Sequence, residues 1–232
     1  MNRIFLIATI FLAMPLRALP QQAIATMDYL PNTPGDSIWM EEMPPQTHAF
    51  SDFLLVYKTA FFRNQALQKR SFGNNSFRYE QMEEEGLKVY LFHFDNGQEY
   101  LLEKGLTLFP ATLSPNQVFQ DEVAYTILEQ NIKIGSGVLR YSIVAEGFTT
   151  AETPLRNFVD CLTLSVKMTF QHQSGLSLSF DVKEWYAKGV GLVKFISKRQ
   201  LHEKKGKTIH DPVLAMYLKK GITRGRTIEG KN

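Results

Sequence analysis

Histidine and cysteine are the side chains of this sequence best suited to chemistry near neutral pH, and they are few. They are His48, His93, Cys161, His172, His202 and His210. Their spacing matches neither an H-E-x-x-H motif nor the His/Cys pattern of a zinc site. A nucleophilic cysteine needs an adjacent base, and the sequence places none close to Cys161. We therefore predict a non-enzymatic protein with no catalytic, metal-binding or cofactor-binding residues.

Two weaker alternatives keep a chemical role for these residues. His93 and Asp95 would share one face of a strand, where they could bind a metal ion weakly. Cys161 would lie on the polar side of a strand beside Thr163 and could act as the nucleophile of an unrecognised hydrolase. A water-facing pair at a strand end and a half-buried thiol are the simpler interpretations.

The elements that must position these residues are predicted to be β-strands. Apolar and polar residues alternate over residues 162–170 and 176–183, and the five residues between them indicate an antiparallel hairpin. Further strands are predicted at residues 53–62, 76–82, 87–94, 99–108, 118–129 and 138–146, with turns at 95–97 and 134–137. This pattern favours a mainly β fold, a single antiparallel sheet curled into a barrel or half-barrel, with a β-sandwich as second choice.

The strand at residues 87–94 is apolar on both faces. Alternation would place Tyr90, Phe92 and Phe94 together on one face. Such a strand lies either beneath a second layer or along an apolar cavity, and the cavity would suit a carrier of lipid or another apolar ligand. The candidate residues for an apolar ligand are Tyr90, Phe92, Phe94, Trp185 and Tyr186.

A short C-terminal helix is predicted at about residues 212–220. Asp211 would cap its first turn, Pro212 suits its first position, and Gly221 suits its end. Its apolar side would dock on the protein's own sheet or, alternatively, on a partner protein or an anionic membrane surface. The candidate partner-binding residues are Tyr217, Leu218, Lys219, Lys220, Arg224 and Arg226.

The net charge of +3 is an average over three unlike parts. Residues 1–25 carry two basic residues and no acid, and residues 26–193 carry 13 basic against 20 acidic residues. Residues 194–232 carry 11 basic and three acidic residues. An acidic body with a basic tail suits charge-guided binding of a partner, whereas the lack of interleaved aromatic and basic residues argues against nucleic acid.

The N-terminal residues have the pattern of an export signal. Arg3 precedes an apolar run over residues 4–14, and small residues follow near Ala18 and over residues 23–25. A basic start, a short apolar stretch and a small-residue site form a secretory signal peptide, which would be cleaved after Ala18 or Ala25. The run is too short to span a bilayer as a helix. The protein is therefore predicted to be periplasmic or secreted.

Three segments resemble a group of uncharacterised exported bacterial β-domains. Residues 29–39 read YLPNTPGDSIW, residues 157–164 read NFVDCLTL, and residues 184–194 read EWYAKGVGLVK. The third segment contains the W-Y-A-x-G-V-G-x-V-K signature and is the most specific of the three. The resemblance implies a curled antiparallel sheet similar in kind to the half-barrels of envelope lipoproteins and lipoprotein carriers, with no catalytic residues to transfer.

The predicted organisation is a signal peptide at 1–25, an antiparallel β domain at 26–200 and a basic C-terminal extension at 201–232. The leading hypothesis for function is a bacterial envelope protein that binds a partner protein, or assembles into an envelope complex, through its sheet edge and basic tail. The alternative is a carrier that holds a lipid or other apolar ligand inside the curled sheet.

Overall fold

The computed structural model of the protein describes residues 23–30, 33–43, 52–73, 75–203 and 206–229. These residues form sixteen β-strands and one short 3-10 helix, Thr26–Tyr29. The strands are β1 Ile24–Ala25, β2 Ser37–Glu42, β3 Asp52–Phe62, β4 Gln65–Ser71, β5 Phe77–Glu83, β6 Gly86–His93, β7 Gln98–Pro110, β8 Thr112–Leu113, β9 Val118–Glu129, β10 Ile132–Glu152, β11 Asn157–His172, β12 Ser177–Ala187, β13 Gly191–His202, β14 Thr208–His210, β15 Leu214–Thr223 and β16 Arg226–Ile228. No helix in the described part of the chain is long and apolar enough to cross a membrane.

Fourteen of the strands form one antiparallel sheet. Its order is β14-β13-β12-β11-β10-β9-β7-β6-β5-β4-β3-β2-β15-β16. Strand β13 also pairs with β15 over four residue pairs, so the two end regions of the sheet meet and the sheet is strongly curled. The predicted antiparallel sheet is confirmed, but a sheet with two ends, β14 and β16, is not a closed barrel.

Alternation along the strands directs one set of side chains into a single core. In β10, Leu139, Tyr141 and Ile143 are buried on the inner face, while the residues between them are more exposed. The core continues around the curl through Phe170 of β11 and Leu218 of β15, both of which are fully buried. The inner face therefore carries one large apolar cluster that joins most strands of the sheet.

The predicted C-terminal helix is wrong, because the segment forms strand β15. Leu214, Met216 and Leu218 alternate as a strand requires, and Met216 and Leu218 are fully buried. The apolar spacing fits a period of two as well as a helix, and β2 and β13 supply hydrogen-bonding partners on both sides. Asp211 does not cap a helix; its carboxylate lies 3.3 Å from the guanidinium of Arg199.

Two other local predictions are wrong. The turn predicted at residues 134–137 lies within β10, which continues through it by a register shift between Lys133 and Gly135. Alternation in β6 is also interrupted: Val89 pairs with Glu80 of β5 and Leu91 with the adjacent Tyr79, so Tyr90 is the extra residue of a β-bulge.

The bulge in β6 changes which side chains share a face. Phe92 and Phe94 belong to the inner core, whereas Tyr90 lies over Gly105 on the outer face. The three aromatic residues that strict alternation placed together are therefore divided between the two faces.

Candidate functional site

The inner face of the sheet contains a buried cluster of charged side chains on β4 and β5. The Glu80 carboxylate accepts hydrogen bonds from Arg70 Nε at 2.8 Å and from Arg78 Nε at 2.6 Å. The side chains of Glu80, Arg70 and Arg78 are 0%, 6% and 16% exposed. One carboxylate thus holds two guanidiniums in the interior, where an unpaired charge would be costly.

Side chains from β10 and β12 complete this cluster from another part of the sheet. The Tyr186 hydroxyl donates a hydrogen bond to Glu184 Oε2 at 3.1 Å, and the charges of Arg70 and Arg78 act on both residues. The Tyr141 hydroxyl donates to the Leu108 carbonyl at 2.6 Å. The cluster therefore links the β4–β5 hairpin to β10 and β12, which lie far from it in the sequence.

The pKa values of the two carboxyl groups of the cluster, Glu80 and Glu184, are shifted in opposite directions. Burial alone would raise the pKa of Glu80, but the charges of Arg70 and Arg78 and their hydrogen bonds outweigh it and hold that pKa below its usual value. Burial raises the pKa of Glu184, because the two arginines and the Tyr186 hydroxyl compensate only in part. Burial also lowers the pKa of Arg70 to about 10, which leaves it protonated at neutral pH. Glu80 is thus the anion that neutralises the arginines most directly.

The signature segment EWYAKGVGLVK forms the β12–β13 hairpin, and its two aromatic residues point to opposite faces. Tyr186 is in the core against Phe109, with ring centroids 5.5 Å apart. Trp185 points to the opposite side of β12, where it is buried and its indole nitrogen donates to Thr149 Oγ1 at 3.2 Å. The Lys194 ammonium lies 4.8 Å from the Trp185 ring centroid and 5.2 Å from that of Tyr217. This cation between two rings stabilises the junction of β13 with β15.

The six candidate partner-binding residues all lie on the β15–β16 hairpin, which we call the basic hairpin, residues 214–228. Leu218 is fully buried in the core, so it is not available to a partner. Lys219, Lys220, Arg224 and Arg226 are exposed, and the Lys220 ammonium lies 4.8 Å from the Trp39 ring centroid. The structure thus separates one core residue from four outward-facing cations.

The basic hairpin is held firmly at its turn. Arg224 and Gly225 have φ values of 50° and 72°, which are typical of a two-residue hairpin turn. The backbone N–H of Arg224 donates to Asp36 Oδ1 at 2.7 Å, and Asp36 is only 2% exposed. The four cations therefore project from a rigid support.

The five candidates for an apolar ligand do not form one site. Phe92 and Phe94 contact Phe170, each with ring centroids 5.7 Å apart. Tyr186 belongs to the charged cluster, Trp185 is buried on the opposite side of β12, and Tyr90 lies over Gly105. Only the two phenylalanines lie together, at the end of the interior where Phe94 is half-buried.

Two depressions lie on the outer face of β9–β13. The first has a volume of about 380 Å³ and the second about 430 Å³, and both are lined by Ser142 and Lys167. Their linings mix acidic and basic side chains, and Arg140 Nε lies 2.7 Å from Glu122 Oε2 in the first. The second is lined by three lysines, Lys167, Lys183 and Lys198, and one acid, Asp181, so the two depressions do not share one charge character.

Cys161 and His93, the residues proposed for a hydrolase, are both engaged in packing contacts. Cys161 is fully buried, its thiol donates to the Phe158 carbonyl at 3.3 Å, and burial raises its pKa. It shares a face with Thr163, but that face is buried rather than half-exposed, since Thr163 is only 1% exposed. His93 stacks on Phe77 at 4.3 Å and lies 3.4 Å from Glu99. Within the described ranges, no three His, Cys, Asp or Glu side chains are grouped to hold a metal ion.

The chain was compared with known proteins. No family model and no curated protein matches the sequence. A solved chain from Parabacteroides distasonis described as a putative lipoprotein is similar over 82% of this chain and 96% of its own, with 13% identity and a TM-score of 0.40. The hypothetical lipoprotein YmcC from Escherichia coli is similar over 84% of this chain and 88% of its own, with 12% identity and a TM-score of 0.37. The signature around Trp185 stays a prediction.

Proposed function

We propose that this chain is a non-enzymatic, exported protein of the bacterial envelope that binds an acidic segment of a partner protein through the basic hairpin. The observation that carries the proposal is that the most basic surface strand pair is also one end of the sheet. Residues 214–228 include four cations and no acidic residue. The two features that the sequence suggested for partner binding, a sheet edge and a basic tail, are thus one element.

Charge supports an acidic partner. Lys220, Arg224 and Arg226 are exposed at the hairpin, and the Lys219 ammonium lies 3.9 Å from Glu41. Exposed charges of one sign accelerate association with an oppositely charged surface and select against partners of the same sign.

The edge of β16 supports binding of an extended segment. In the part of the chain that the structure describes, β16 pairs with β15 alone. An extended peptide can add a further strand to such an edge through main-chain hydrogen bonds, with side chains giving specificity. An acidic strand would then place its carboxylates close to Arg226.

A non-enzymatic role fits the state of the two groups that a hydrolase would need. The Cys161 thiol is buried with a raised pKa, so little thiolate forms at neutral pH. The His93 ring is stacked and next to a carboxylate on the neighbouring strand. Neither group is arranged to activate the other.

Neutralising the basic hairpin is expected to weaken partner binding at least about tenfold. The partner would first be captured in its native envelope with a photo-crosslinking residue at the exposed Thr227 of β16, and then purified. Its Kd would be measured against the variant K219Q/K220Q/R224Q/R226Q at several salt concentrations. Loss of the cations should raise Kd and reduce its salt dependence.

The matched control carries the same number of neutralised cations elsewhere. Lys133, Arg140, Lys167 and Lys198 are exposed on β10, β11 and β13. The variant K133Q/R140Q/K167Q/K198Q should bind the partner with an unchanged Kd. Equal weakening of binding by both variants would contradict a specific role for the basic hairpin. If no protein partner is captured and the chain instead cosediments with anionic vesicles, the basic hairpin binds lipid and the proposal of a protein partner is wrong.

A carrier of an apolar ligand is the second candidate function. One observation favours it, a group of half-buried apolar side chains around Phe170 at the end of the interior. Phe94, Met168, Leu178 and Phe180 pack there against the core while remaining partly accessible. Such a surface would suit an acyl chain better than a polar ligand.

Protein purified from its own host should carry bound lipid if the carrier function holds. Native mass spectrometry would detect the adduct, and F180D should abolish it because a carboxylate would meet the apolar chain. An exposed apolar residue away from this end, Phe61 at 82% exposure, provides the control F61D. Ligand-free protein, or equal loss in both variants, would exclude the carrier function.

A further inference from the structure

Residues 24–30 cap one end of the curled sheet and belong to its folded body. In strand β1, Ile24 pairs with Leu113 and Ala25 with Thr112. Ile24 is 7% exposed, Leu30 is 2% exposed, and both belong to the main core cluster. These seven residues therefore act as part of the protein's structure rather than as a removable extension.

Thr26 fixes the cap through its backbone and its side chain. Its N–H donates to the Ala111 carbonyl at 3.1 Å, and its hydroxyl donates to the Pro110 carbonyl. Thr26 is only 1% exposed. Further along, the Asp28 carbonyl accepts from the Gly189 N–H at 3.1 Å, and the Asp28 carboxylate lies 2.9 Å from the Lys188 ammonium.

Cleavage after Ala25 would damage this arrangement in two ways. It would remove Ile24, with its buried side chain, together with strand β1. It would also convert the buried Thr26 N–H into a charged α-ammonium, which is unfavourable away from water. Cleavage after Ala18 would leave both features intact.

We infer that the signal peptide is removed after Ala18 and that residues 24–30 are retained in the mature protein. The inference rests on the proposed export, since only an exported chain would be processed. The A-I-A sequence at residues 23–25 has the small residues that signal peptidases prefer, but here it serves as strand β1.

The test compares two variants of the full chain with a large residue at each candidate position, A18F and A25F. Ala25 is exposed, so phenylalanine at this position is compatible with the fold. The wild-type protein would be recovered from the envelope fraction, and its mature N-terminus would be read by intact mass and N-terminal sequencing. We expect Leu19 as the first residue, with accumulation of uncleaved precursor in A18F and normal processing in A25F.

A second measurement compares chains that start at Leu19 and at Thr26, each released from a cleavable tag. The shorter chain should unfold at a Tm lower by about 5 °C or more. A mature N-terminus at Thr26, or precursor accumulation in A25F alone, would overturn the inference while leaving export intact. Full-length protein confined to the cytoplasm would overturn both the inference and the proposed export.

Discussion

Replacement of Glu80 by glutamine is expected to lower the free energy of unfolding by about 3–5 kcal/mol. The substitution keeps the shape of the side chain but removes the negative charge that Arg70 and Arg78 contact at 2.8 and 2.6 Å. Two buried guanidiniums would then lack their closest anion. Urea unfolding followed by tryptophan fluorescence would measure the loss.

The matched control is E184Q, which changes the other carboxyl group of the same cluster. The expected change is within about 1 kcal/mol, because glutamine still accepts the hydrogen bond from Tyr186 and avoids burying a charge. Similar losses in E80Q and E184Q would contradict the assignment of Glu80 as the anion that neutralises the arginines.

The pH dependence of stability should also differ between the two variants. The pKa of Glu80 is lower in the folded state, so its contribution is present above the usual value of 4.5 and is lost as the pH falls through the lowered value. The pKa of Glu184 is raised by burial, so its cost develops as the pH rises from 4.5 through the raised value. E80Q should remove the acid-side loss, and E184Q should remove the decline on the alkaline side.

Replacement of Gly86 by alanine is expected to cost at least about 4 kcal/mol. A Cβ at this position would lie 2.0 Å from the Phe109 carbonyl oxygen and 2.8 Å from the Ala111 nitrogen. Both are backbone atoms, so a side-chain rotation cannot relieve the contact. Gly86 also has a φ of +134°, which residues with a side chain rarely adopt. Urea unfolding and the yield of folded protein would measure the effect.

Gly97 provides the comparison for Gly86. Its φ is +81°, but a Cβ there meets no atom within 4 Å, so G97A should cost only the backbone strain of about 1–2 kcal/mol. A loss in G86A no greater than that in G97A would show that β7 can move away from β6 at Pro110.

The sequence predicted the strands whose polar and apolar residues alternate. Residues 118–129 match β9, and the predicted hairpin at 162–183 corresponds to β11 and β12. Strand β4 was not predicted, because Gln65–Ser71 is mostly polar and lacks a clear alternation of apolar residues. The register shift at Gly135 was also hidden, because bulges depend on neighbouring strands rather than on local residue types.

The charged cluster could not be predicted, because it reverses the usual rule that charged side chains face water. Arg70 and Glu80 look like solvent-facing residues in two polar segments, and only their pairing across β4 and β5 brings them together inside the sheet. One signal was present: Arg78 and Glu80 share a strand face two residues apart. Recognising the cluster required the curl of the sheet, because β12 with Glu184 is far from β4 and β5 in the strand order and meets them only across the interior.

The pairing of β15 with both β2 and β13 has a consequence for the timing of folding. Ser37 of β2 pairs with Ile222, which lies near the other end of the described chain. Until residues 214–223 have left the ribosome, β2 keeps one unpaired edge and β13 lacks its partner over residues 194–197. Contacts between such distant residues form slowly, commonly over milliseconds to seconds. The sheet therefore stays incomplete until residues 214–223 have been synthesised, and an incompletely folded polypeptide is the form that can be threaded across a membrane.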